Sequence, residues 1–211
     1  MALKQDNVII RQMTDSDLCR IVEIHLESFP GFFLTFLGYN FLSLLYKGIQ
    51  SDPEGIVLVA ADSDRIEGFV AGVLHQAGFY GRLLKKNKWA FAKSALGALA
   101  KRPSVAPRLV RALKRPAEAR QSSAEACLMS IAVHPQSEGK GIGQQLVESF
   151  CEELSQRGAP SVCLTTDRDQ NDRVNRFYQR LGFQLSNTFI TPEGRGMNEY
   201  LMVLSKKAKD A

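Results

Sequence analysis

The sequence predicts an α/β (α+β) fold, a mixed, mostly antiparallel central sheet flanked by helices with a helical insertion, in a single domain spanning residues 1–211. Three observations carry this. Strand-like and helix-like stretches follow one another in the order β-α-α-β-β-(insert)-β-α-β-α-β-β, and its hairpins demand antiparallel pairing. With 45% hydrophobic and 23% charged residues, the 211-residue chain can bury a sizeable core without staples. Finally, the four cysteines, at 19, 127, 151 and 163, are far apart and include no Cys-x-x-Cys pair. They read as buried free thiols of a reducing compartment rather than as a disulfide framework or a zinc site.

Each element has its own signal. Residues 8–13 form a short strand. Thr14, with Asp17 three residues on, approaches a capping box; Leu18, Ile21, Val22 and Ile24 continue a helix to about residue 28, where Pro30 and Gly31 break it. Over 34–47, Phe36, Leu37, Phe41, Leu44 and Leu45 make a broad apolar helix face, with Gly48 as the expected stop. Residues 56–61 and 66–74 are the arms of a hairpin. The stretch at about 80–120 reads as helical pieces split by Pro103, Pro107 and Pro116. Residues 124–133 form a strand, and over 141–157 Ile142, Leu146, Phe150 and Leu154 recur every four residues in a helix stopped by Gly158. A strand at 161–166, a short helix at 172–181 with Val174, Phe177 and Leu181 toward the sheet, and strands at 183–190 and 198–204 complete the domain. The tail from Ser205 frays.

Charge is unevenly spread. The chain carries a net +5, but residues 82–120 alone hold twelve Lys/Arg and one acid, Glu118, a net of +11, which leaves the remainder at −6. A mildly acidic body thus bears one strongly basic segment. The start shows no apolar run behind its basic residue, and no stretch of 18 apolar residues exists, so a cytoplasmic protein, peripheral to a membrane at most, is expected. Histidines 25, 75 and 134 have no metal-ligand spacing, and no metal is expected.

The most specific segment runs from Ile131 to Leu146: a strand, then a glycine-rich turn, then an amphipathic helix. Such a turn is an anion site, because glycines admit close approach and the free N–H groups at the helix start point at negative oxygens. It is not a phosphate-binding P-loop, since no Ser or Thr follows Lys140. Nor is it the dinucleotide fingerprint, since Gln144 stands where a glycine is needed. A second segment, Asn171 to Phe183, offers Asn171 as a cap and places Tyr178 at the helix–sheet boundary.

Together these segments resemble the GNAT N-acetyltransferase superfamily: the hydrophobic strand, Val133-x-Pro135, the turn glycines Gly141 and Gly143, the strand at Ser161, and Asn171 seven residues before Tyr178, followed by Leu-Gly-Phe. The resemblance is firm over 124–204, looser over 8–74, and does not cover the basic insert. It implies transfer of an acetyl group from acetyl-CoA directly to a primary amine. The strand Ile131-Ala132-Val133 would pair with the pantetheine arm of CoA, the amides of Gly139, Lys140, Gly141, Ile142, Gly143 and Gln144 would hold its pyrophosphate, Asn171 would contact it, and Tyr178 would protonate the leaving thiolate. One departure is Glu138, where the family has Arg or Gln; a carboxylate beside a pyrophosphate is unfavourable, so it is expected to face solvent.

A general base must free the amine, and Glu27, His25, Asp167 or a water chain stay open, with Glu27 as the named candidate. The acceptor stays open between an amino sugar of surface-polysaccharide biosynthesis and a protein amino terminus or small amine. A non-catalytic acyl-CoA-binding module acting through the insert is the different-class alternative. The insert itself, with Trp89 and several leucines among lysines, reads as a lid or homodimer contact, as a membrane-surface or lipid-linked-substrate contact, or as a contact for an anionic sugar-nucleotide. It lacks the aromatic interleaving of a nucleic-acid binder.

Overall fold

The computed structural model describes residues 8–62, 65–101, 124 and 126–204, with side chains to residue 96 in the helix that ends at Lys101. In chain order the elements are β1 (Ile9–Gln12), α1 (Leu18–Ser28), α2 (Phe33–Leu37), α3 (Tyr39–Gln50), β2 (Gly55–Asp62), β3 (Arg65–Val73), α4 (Phe79–Lys101), β4 (Ala126–Val133), α5 (Ile142–Gln156), β5 (Ser161–Asp167), α6 (Asp172–Arg180), β6 (Gln184–Ile190) and β7 (Gly196–Val203). The strands form one sheet in the order β1-β2-β3-β4-β5-β7-β6. Every neighbouring pair is antiparallel except β4 with β5.

Two cores cover the two faces, as the period-two alternation of the strands requires. On one, Ile21, Leu42, Tyr46, Phe69 and Cys127 pack with α1, α3 and α4. On the other, α5 and α6 bring Leu146, Phe150, Leu154 and Tyr178 against Val70, Val162, Leu164 and Tyr200. The fourfold repeat of α5 is fully buried, with Ile142, Leu146, Phe150 and Leu154 at most 2% exposed, each contributing about 1.5–3 kcal/mol of burial free energy.

The structure corrects three expectations. The helix expected over 34–47 is two, because Gly38 takes φ +85°, a backbone region that L side chains avoid, and starts α3 afresh. Gly48 lies inside α3 rather than ending it. A Cβ there would collide with Leu83, so this glycine lets α4 lie close on α3. Val174 is exposed, and Asn175 takes the buried place on α6. The described part of the insert is one helix, α4, kinked where Asn87 leaves helical geometry. The insert prolines and the tail from Ser205 lie outside the described residues. None of the four cysteines is in a disulfide, and Cys19 is exposed while the others are buried.

Candidate active site

The site starts from a break in the sheet. β4 and β5 are register partners at Ala126↔Val162 and Cys127↔Cys163 and then part. From Leu128 to Val133 on one side and Leu164 to Asp167 on the other, the facing backbone edges have no strand between them.

A bulge re-aims β4 at this point. Gly72 of β3 lies opposite Leu128, but Ala71 lies opposite Ser130, so Met129 is the extra residue, and a bulge bends its strand. Met129 packs toward the α1–α3 face, and the Ser130 side chain lies by the Tyr46 hydroxyl on that same face. Beyond the bulge, the N–H of His134 donates to the Glu67 carbonyl at 2.7 Å. Backbone groups alternate along a strand, so Ala132, in step with His134, turns its amide and carbonyl to β3, while those of Ile131 and Val133 face the gap.

The turn after β4 presents donors at the same end of the gap. Gly139 and Gly141 have φ of +80° and +79°, and a Cβ on either would meet nothing within 4 Å. Lys140 lies exposed between them. The first α5 amide to reach a preceding carbonyl is that of Gln145, bonded to Gly141 at 3.2 Å. The N–H groups of Ile142, Gly143 and Gln144 are therefore the unsatisfied donors of a helix start, and no acid stands in that first turn. Gly143 brings α6 close: a Cβ there would lie 3.6 Å from Phe177 and 3.7 Å from Val133. Glu138 does face solvent, half-exposed and paired with Arg173 at 3.1 Å.

On the β5 side, α6 is held by amides. Asn171 Nδ2 donates to Thr166 Oγ1 at 2.9 Å and to the Asp167 carbonyl at 3.1 Å. Asn175 Nδ2 donates to the carbonyls of Asp167 and Asn171 at 2.9 and 2.8 Å, and its Oδ1 accepts from Asn198 and Tyr200, both at 2.9 Å. That is the full capacity of a carboxamide. Tyr178, one turn before Leu181, is 6% exposed and packs edge-on against Phe177 and Phe183. Its hydroxyl makes no hydrogen bond among the described residues. Burial pushes the phenol up, so at neutral pH it keeps its proton.

The open end of the gap also gathers the remaining candidates. Glu27, at the end of α1, lies 3.1 Å from His134 Nε2. The His134 ring accepts the Gln136 amide on Nδ1, which leaves Nε2 to carry the proton toward Glu27 when the imidazole is neutral. Asp167 is gripped by Arg195 through both carboxylate oxygens, each at 2.6 Å, and the Arg195 guanidinium lies 5.0 Å above the Phe32 ring. His25 is different. It is 3% exposed, its Nδ1 meets the Tyr46 hydroxyl at 2.6 Å, its Nε2 has no partner, and burial lowers its pKa to about 4. It is a neutral core imidazole under β4, and far too weak a base to free an alkylammonium.

The fold thus places Ile131, Val133, the 139–144 turn and Asn171 along one gap, sets Glu27 beside His134 at its open end, buries Tyr178 on α6 among Phe177, Phe183 and Tyr200, and turns the backbone of Ala132 away from the gap. Sequence reasoning missed His134, Asn175 and Arg195. His134 had a readable signal, since it sits inside the Val133-x-Pro135 motif; Asn175 and Arg195 act through partners distant in sequence. Among the described residues, no three His, Cys, Asp or Glu side chains could hold a metal ion, and no helix is long and apolar enough to cross a membrane.

Comparison with known proteins points one way. A model of the acetyltransferase (GNAT) family matches residues 18–183. The fold resembles the ribosomal-protein-S18-alanine N-acetyltransferase from Escherichia coli at 14% identity and TM-score 0.57, covering 97% of this chain and 98% of that one. It resembles an aminoglycoside 6'-N-acetyltransferase complexed with coenzyme A at 13% identity and TM-score 0.61, covering 93% and 97%. A third likeness is to Arabidopsis thaliana NAA60 in complex with acetyl-CoA, at 15% identity and TM-score 0.58, covering 94% and 99%.

Proposed function

The chain belongs to the acetyltransferase (GNAT) family, and on that premise we propose that it moves an acetyl group from acetyl-CoA directly to a primary amine borne by a sugar. The observation that carries the reading is the β4–β5 gap with the open helix start at its end. The gap-facing amides and carbonyls of Ile131 and Val133 are unpaired strand edges, suited to the amide-bearing pantetheine arm. The N–H groups of Ile142, Gly143 and Gln144, with the space beside Gly139 and Gly141, suit a pyrophosphate. Asn171, already bonded to Thr166 and the Asp167 carbonyl, holds the α6 start beside the same arm.

Acetyl-CoA supplies a thioester carbon for an uncharged amine to attack. Glu27, with His134 behind it, receives the proton that the alkylammonium must lose, either directly or through water. The gap-facing amide of Val133 or Ile131 is a donor for the carbonyl oxygen as it gains charge. Tyr178 gives its proton to the departing sulfur, and the burial that keeps the phenol protonated fits that role. Cys127 and Cys163 are buried strand partners, so transfer needs no acyl-enzyme.

An amino-sugar acceptor is favoured by the wall at the gap's open end. Phe32 offers a part-exposed ring for a sugar face, and the clamped Asp167–Arg195 pair beside it offers fixed charged groups for hydroxyls. Aminoglycosides and protein alanines are the acceptors named for two of the structural neighbours. The test is CoA release with a panel of amino sugars, peptide amino termini and small amines. Turnover of amino sugars above the others supports the reading. Preference for a peptide terminus moves the acceptor to protein. Tight acetyl-CoA binding with no turnover of any amine leaves an acyl-CoA-binding module.

A further inference from the structure

We propose that the outward face of α4 is a docking surface for an anionic lipid bilayer. α4 has two apolar faces, and only one is used by the fold. Phe79, Leu83, Phe91 and Ala95 are buried, with Phe91 edge-on to Phe41 of α3 at 5.1 Å. On the opposite side, Trp89, Lys93 and Leu96, spaced four and three residues apart, share one helix face. Trp89 is 78% exposed and Leu96 63%, the largest exposures of any Trp or Leu among the described residues.

Charge decides what such a stripe fits. α4 contains no Asp or Glu and six Lys/Arg. Arg82 is spent on Asp52 and Glu54 of the body. Lys85, Lys88 and Lys93 form no ion pair among the described residues, and Lys88 lies 5.6 Å from the Trp89 ring. A tryptophan and a leucine ringed by unpaired lysines match a bilayer interface: the indole sits at headgroup level while lysine stems reach to anionic phosphates. A protein partner of the same charge would leave the rest of the acidic body, at −6 outside 82–120, without a role. A bilayer also suits the position, because α4 packs on α2, the helix that follows Phe32. Docking there brings the acceptor wall toward the membrane.

This proposal stands apart from the transfer reaction, since it is read without acetyl-CoA or amine. Trp89 is the chain's single tryptophan, so its fluorescence reports on this face alone. Full-length protein is mixed with phosphatidylglycerol vesicles and, separately, with phosphatidylcholine vesicles. The expected result is co-sedimentation and a blue shift with the anionic vesicles only, quenching by brominated acyl chains, and release as salt rises from about 0.1 to about 1 M, where screening shrinks to about 3 Å. Trp89→Ala with Leu96→Ala should weaken vesicle affinity about tenfold or more, and Lys85→Glu with Lys93→Glu should abolish it. These positions are exposed, so the variants keep the fold. Equal binding to neutral vesicles, binding without a blue shift, or absence of binding at low salt overturns the proposal. A blue shift that grows with protein concentration in the absence of lipid also overturns it, because it assigns the stripe to a second copy of the chain.

Discussion

The two rims of the β4–β5 gap are held open by different polar devices. On the β5 rim, Asn175 spends all four of its hydrogen bonds, tying α6 to β5 and β7 through Asn198, Tyr200 and the carbonyls of Asp167 and Asn171. That network is built of carboxamides, backbone carbonyls and one phenol. On the β4 rim, the bulge at Met129 is backed by Ser130, Tyr46 and His25, and there one nitrogen of a titratable ring is left without a partner. The comparison teaches that a sheet can be parted without loss of order if each rim is fastened from behind, and that only the β4 fastening contains an imidazole.

The sharpest way to break the comparison is to cut the β5 rim. Asn175→Ala leaves the buried Asn198 amide and Tyr200 hydroxyl short of a partner, and should cost about 4 kcal/mol of stability at any pH near neutral, read as a fall in urea midpoint. A cost below about 1 kcal/mol would mean the network is ornamental.

The β4 rim should behave otherwise. His25 has its pKa lowered to about 4 from 6.5. Below pH 6.5 the unfolded chain takes up a proton that the folded chain refuses until about pH 4. Stability present above 6.5 is therefore lost as pH falls through that window, by about 3 kcal/mol. The difference in unfolding free energy between wild type and His25→Leu should show this slope; parallel curves would place His25 in no such role.

Two smaller effects separate chemistry from binding. Tyr178→Phe should lower kcat about a hundredfold, about 2.7 kcal/mol, and leave the acetyl-CoA Kd within about twofold. The reverse split would remove Tyr178 as the acid. Gly141→Ala forces a side chain into left-handed backbone at the α5 start and should weaken acetyl-CoA about tenfold, with kcat at saturation nearly kept.

Much of this was legible in the sequence, and for physical reasons. The α5 helix and its glycine turn are local: a fourfold apolar repeat and glycines at fixed offsets depend on no distant partner. Asn171 as the cap of α6 was readable locally, while the roles given to Asn171 and Tyr178 toward acetyl-CoA are what the family resemblance implies. What was not readable is long-range. Val174 read as part of the apolar face and Asn175 drew no reading, because helical periodicity cannot foresee that a carboxamide network replaces an apolar contact. The Met129 bulge has no glycine to mark it, and Arg195 is 28 residues from the Asp167 it clamps. His134 was dismissed for lacking metal spacing, when its partner is the carboxylate of Glu27.

The central claim is that the parted edge of β4 is where acetyl-CoA lies. Residue-resolved amide exchange with and without acetyl-CoA tests it most directly. The amides of Ile131 and Val133 should exchange markedly more slowly when acetyl-CoA is bound, while that of Ala132, already turned to β3, stays unchanged. Saturating acetyl-CoA that leaves Ile131 and Val133 exchanging as before would contradict the account.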